Sequence, residues 1–197
     1  MLDSARTKRS LDRSPQAVTG SVGPARSGLV PLVLFILGGM ALWISLIAFN
    51  NSTDFDTNRT LLGDTVSMKA ILADHSSGVG LHWRAMPRGF AGPLLALIIT
   101  YQVATAAFMW RAVLTGIRVL RGAGGDLTSF VRHANRCLML FAGMFLGFLI
   151  GGLWFGYWMH LGPVQQVHFT LLIIGSLLAV LVNLIPILEA VTSRATR

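Results

Sequence analysis

A chain of 197 residues in which 53% are hydrophobic and only 12% charged carries about half the charge of an ordinary soluble domain, so a soluble globule is excluded. The formal charge of +8 does not indicate nucleic acid, because the basic residues cluster beside apolar runs and form no stripe interleaved with aromatics. Cys137 is the single cysteine, which excludes an intramolecular disulfide and leaves it as a small packing residue.

Residues 1–28 are polar and basic, with Arg6, Lys8, Arg9, Arg13 and Arg26 among Ser, Gly and Pro, and are expected to be a disordered cytoplasmic tail. The apolar run 29–48 has about 20 residues, enough helix for roughly 30 Å and therefore for a crossing. It is too long for a signal-peptide core and lacks a small-residue cleavage site, so it reads as an uncleaved first span, 29–49. It breaks into Asn50, Asn51, Ser52, Thr53, Asp54, Asp56 and Asn58, where membrane gives way to water. Residues 51–89 form a 39-residue outer loop, expected to be structured and to carry a short amphipathic helix across 60–73 on the membrane surface.

The second span, 92–112, begins near Pro93 and continues as a basic helix through Arg111, Arg118 and Arg121 until Gly122, Gly124 and Gly125 stop it. A short polar connection, 126–136, leads to the third span, 138–159, which ends in the interfacial aromatics Trp154, Phe155, Tyr157 and Trp158. A turn at Gly162 and Pro163 precedes the fourth span, 168–188, whose end is marked by Pro186; residues 193–197 are a second cytoplasmic tail. Residues 29–192 thus read as a four-span membrane domain, an all-α integral membrane four-helix bundle.

Lysine and arginine number five in the first tail, five from Arg111 to Arg136 and two in the last tail, against four in the first loop and none in the third. Both termini are therefore expected in the cytoplasm. Lipid offers no hydrophobic drive between helices, so small residues four apart mark where backbones approach. Gly143, Gly147 and Gly151 form the fullest such stripe, and shorter ones occur at Gly38, Ala41, Ser45 and Ala48, at Ala96, Thr100 and Ala104, and at Gly175, Ala179 and Asn183. Each is expected to serve contact within the bundle, the alternative being an interface for a partner subunit.

Essentially no ionisable residue stands deep inside a span, which speaks against transport and proton relay. Gln102, with Tyr101 beside it, and Asn183 are the polar residues deep in spans, and interhelical hydrogen bonds explain them. The other reading is a quinone- or haem-handling site built from Gln102, Tyr101, His160 and His168, although no histidine pair has the spacing that puts two ligands on one helical face. Asp54, Asp56 and Asn58 alternate like the opening of a calcium loop, but Arg59 and Thr65 stand where such a loop needs Gly and Glu, so capping is the better explanation and no metal is expected. Walker, dinucleotide and nucleophile-elbow motifs are absent.

FNNSTDFDTN at 49–58, SMKA at 67–70, HWRA at 82–85 and IGGLWF at 150–155, followed by Trp158, Gln165 and Gln166, together resemble the bacterial family of predicted small integral membrane proteins known as domain of unknown function 2165. The loop residues that carry the resemblance are Asn50, Asn51, Asp54, Asn58, Trp83 and Arg84. The resemblance implies four spans and a bacterial origin and supplies no reaction. The chain departs from the pattern at Leu153 and near Gln102, where an acidic residue is usual. The expected function is a non-enzymatic membrane protein without cofactor, an accessory or structural subunit packing against a larger membrane complex. The alternatives are the quinone- or haem-handling anchor of a redox enzyme and a small transporter.

Overall fold

The computed structural model describes residues 28–76 and 78–195. Four long helices, α1 (Leu29–Thr53), α4 (Ala91–Arg121), α5 (Leu127–Trp154) and α6 (Gly162–Ala195), are long and apolar enough to cross a membrane. Two short helices, α2 (Phe55–Val66) and α3 (Lys69–Ala73), and two 3-10 turns, Val79–Arg84 and Arg88–Phe90, fill the connection between the first two long helices. The all-helical bundle with a structured first loop is thus as the sequence indicated. The expected tail at 1–28 lies outside the described residues except for Gly28, as do the last two residues of the chain.

The helices follow one another around the bundle, α1 against α4, α4 against α5 and α5 against α6, with a lesser contact between α6 and α1. Each contributes apolar residues at three- and four-residue spacing, among them Val33, Leu37 and Ile44 of α1, Met109 and Ala112 of α4, Phe130 and Phe141 of α5, and Leu178 and Ile185 of α6. Side chains of neighbouring helices pack directly onto two of the helix glycines. A methyl group on Gly116 of α4 would collide with Leu34 and Phe130, and one on Gly175 of α6 would come within 2.8 Å of the Phe141 ring. The Gly175 stripe therefore serves the bundle, and farther along it Asn183 exchanges two hydrogen bonds with Asn135 of α5, 3.0 and 2.9 Å.

Three local expectations are corrected. Residues 127–136 are the first turns of α5 and not a connection. Asp126 caps the helix, accepting from the backbone N–H groups of Thr128 and Ser129, and Phe130, Ala134 and Cys137 turn inward while Arg132 and Arg136 turn out, so charged positions fit a helix that the apolar run alone did not reveal. The surface helix begins earlier than residue 60 and breaks at Met68, which adopts left-handed backbone at φ 54° while remaining buried. Pro186 does not end α6, which runs through it to Ala195.

Candidate functional site

One end of the bundle carries a cap, formed by α2, α3, the two 3-10 turns and the α5–α6 connection. Ile71 of α3 is its plug. The side chain is buried against Gly78 and Gly156, both in left-handed backbone at φ 69° and 64°, where any side chain would strike it. Val66 accepts from the Met86 N–H at 2.9 Å, which ties the end of α2 to the strap that follows, and Asp74 faces the His160 imidazole at 3.8 Å. The pieces singled out by the family resemblance lie in and around this cap. Asn51 and Asn58 stand where α1 passes into α2, with the Asn58 amide donating to the Asp54 carbonyl at 2.8 Å. The side chain of Asp54 caps no backbone N–H.

Trp83 and Arg84 come from the first 3-10 turn and meet the end of α5. The Arg84 guanidinium lies 5.3 Å from the Trp83 ring and 5.2 Å from the Trp154 ring, and the two indoles touch edge to face at 5.6 Å. The Arg84 guanidinium also donates to the Trp154 carbonyl at 3.5 Å. Arg84 is half-buried, whereas Trp83 is 70% exposed, so the stack presents a fixed indole at the surface of the cap. Leu153 is 61% exposed on the same last turn of α5.

The four residues weighed as a quinone or haem site do not converge. Gln102 and Tyr101 are neighbours in α4 and point to different helices: Gln102 is buried and accepts from the Asn51 amide of α1 at 3.0 Å, while the Tyr101 hydroxyl donates to the Leu140 carbonyl of α5 at 3.0 Å. His168 of α6 packs on the Phe148 ring at 4.9 Å and is hydrogen-bonded through Nδ1 to the Tyr157 hydroxyl at 3.0 Å. His160 sits in the loop beside Asp74. The Tyr157 hydroxyl also donates to the Phe148 carbonyl at 3.0 Å, and since a phenol has one proton, Nδ1–H of His168 is the donor when that bond is made. Burial pushes the Tyr157 hydroxyl up to about 12. Among the described residues no group of three His, Cys, Asp or Glu is placed to hold a metal ion.

Between α4 and α5 a groove of about 380 Å³ runs beneath α2. Its walls are Leu94, Leu97, Ile98 and Tyr101 on one side and Gly143, Met144, Gly147, Phe148 and Gly151 on the other, with Leu62, Thr65 and Val66 as roof and Phe155 and Tyr157 at the end. This corrects the expectation for the α5 glycines. A methyl on Gly143 would touch only the Tyr101 hydroxyl, at 3.1 Å, and one on Gly147 or Gly151 would meet nothing within 4 Å. The stripe lines a gap and does not seat a helix of the bundle. The sequence signal was sound, small residues four apart, but nothing in it told that α4 stands off here.

The family model described as predicted small integral membrane protein (DUF2165) matches residues 31–185. That match takes in the cap, the whole of α4 and α5, and most of α1 and α6. No curated protein and no solved structure matches the chain.

Proposed function

We propose, from the premise that the chain belongs to the family of predicted small integral membrane proteins (DUF2165), that it is a non-enzymatic accessory subunit which packs against a larger membrane complex through its cap. The single observation that carries this reading is the Trp83–Arg84–Trp154 stack. Tryptophan and arginine are the residue types on which binding energy concentrates at interfaces, and an indole held in place by a guanidinium and a second indole loses little entropy when a partner covers it. The two polar residues that stand mid-helix are already engaged, the buried Gln102 by Asn51 and the exposed Asn183 by Asn135, and this supports a structural role over a chemical one. In this reading the opposite end, with Arg111, Arg118, Arg121, Arg132, Arg136 and Arg194, faces the cytoplasm of a bacterial inner membrane, and the cap lies on the outer side.

The redox-anchor reading draws less support, since Gln102, Tyr101, His160 and His168 are spread over three places. The test is extraction from native membranes in a mild detergent, sizing with in-line absorbance, and mass spectrometry of what co-migrates. A defined complex containing this chain is the expected result. A small particle carrying a Soret band or a quinone would replace this reading with the redox anchor.

A further inference from the structure

We propose that the groove between α4 and α5 is a resident-lipid site, in which one acyl chain of an anionic phospholipid lies along Gly143, Gly147 and Gly151 while its phosphate is held at Lys69 and Arg88. The groove lies between two helices that are long and apolar enough to cross the membrane, so hydrocarbon is the medium beside it. Its volume falls inside the ~300–1,000 Å³ of small-molecule pockets. A partner helix is a poor occupant: it would be about 10–12 Å across, and α2 roofs the groove and bars its way to the surface. A flexible chain entering from the side meets no such obstacle.

The chemistry of the walls selects a chain over a head group. The lining is almost entirely apolar, and its hydroxyls are committed: Tyr101 donates to the Leu140 carbonyl, Thr65 to the Leu61 carbonyl at 2.9 Å and Tyr157 to the Phe148 carbonyl. A polar ligand buried there would have to give up its hydrogen bonds to water for few in return. The empty space at Gly147 and Gly151 is where methylene groups recover the van der Waals contact that the bundle does not supply.

The head group is selected by charge. Asp64, on the turn of α2 that also carries Thr65 and Val66, pairs with both Arg88 and Lys69. Two cations on one carboxylate leave a net positive charge beside the roof. The Arg88 side chain is anchored there, with Cβ and Nε within 4 Å of the position a methyl on Gly63 would take. A lipid phosphate is the anion that arrives attached to a hydrocarbon chain.

The test is native mass spectrometry of the full chain purified in a mild detergent, with lipid classes identified from the same preparation. Wild type is expected to retain one phospholipid per protein, enriched in anionic classes. Gly147→Leu fills the groove and is expected to lose most of that lipid, while Gly38→Leu, at a helix position equally free of neighbours, keeps it. Lys69→Gln is expected to keep a lipid but to lower the anionic-over-zwitterionic preference about fivefold, the worth of one lysine near a membrane surface. Lys69 is exposed, so this variant reads the site without disturbing the core. Wild type without retained lipid, retention of a quinone or only zwitterionic lipid, equal retention by Gly147→Leu, or an unchanged preference in Lys69→Gln would each overturn the proposal.

Discussion

Asn51 at the end of α1 donates its side-chain amide to the Gln102 side-chain oxygen of α4 at 3.0 Å, and this bond closes the α1–α4 seam just where the apolar stretch gives way to polar residues. It gives Gln102, buried deep in an apolar helix, the partner that burial demands. A double-mutant cycle on Asn51→Ala and Gln102→Ala is expected to show a coupling of about 1 kcal/mol, in the range of interhelical hydrogen bonds in membranes. Reversible unfolding in mixed micelles reads it directly. Additive single effects would mean that the two side chains do not share a bond in the membrane.

The glycines are not equivalent, and substitution separates them. Leucine at Gly175 must displace the buried Phe141 ring, and overpacking of this kind costs about 1–3 kcal/mol. Leucine at Gly38, where nothing lies within 4 Å, is expected to stay within about 0.5 kcal/mol of wild type. Thermal unfolding of the two variants side by side checks the helix faces. Equal losses would contradict the assignment of the α6 stripe to the α5 seam.

Asp126 links the start of α5 to pH. The backbone N–H of Ser129, then its hydroxyl and the N–H of Thr128, hold the Asp126 carboxyl below the usual range. Because the folded value is the lower one, the stabilisation is present above the unfolded value of about 3.9 and is lost as pH falls through the folded value. Asp126→Ala is expected to be less stable than wild type at neutral pH and to converge with it in acid. Unfolding midpoints followed from neutral pH downward give the comparison, and a constant gap would remove the cap from the account.

The phenols offer a test at the other end of the scale. Only Tyr101 and Tyr157 are present, and burial raises Tyr157 to about 12. Stability that depends on the neutral phenol is full below its ordinary value near 10 and is lost as pH rises toward 12. An ultraviolet difference titration should show a late-ionising phenol that disappears in Tyr157→Phe. If the phenol lost on substitution is instead one that ionises near 10, Tyr157 lies outside the cap.

The four apolar runs were legible because a crossing helix needs its hydrophobic length within one contiguous stretch. The first turns of α5 were not, because Arg132 and Arg136 lower the hydropathy of a segment whose inward face, Phe130 and Ala134, is apolar. The residues of the cap were legible one by one but their meetings were not. Arg84 and Trp154 are 70 positions apart in the chain, and neither periodicity nor spacing relates them. Tyr101 and Gln102 suggested one polar site by adjacency, yet successive residues of a helix point about 100° apart, which sends them to α5 and α1. The groove arises only when α2 folds over the gap between α4 and α5, a tertiary event that the glycine stripe cannot announce.

The central claim, an accessory subunit that docks through its cap, is tested most directly by comparing wild type with Trp83→Ala in native membranes. Trp83 is largely exposed, so the bundle is expected to fold and unfold as before, while co-migration with a larger complex after mild extraction falls sharply. If wild type migrates alone, or if Trp83→Ala co-migrates as fully as wild type, the cap is not the docking surface.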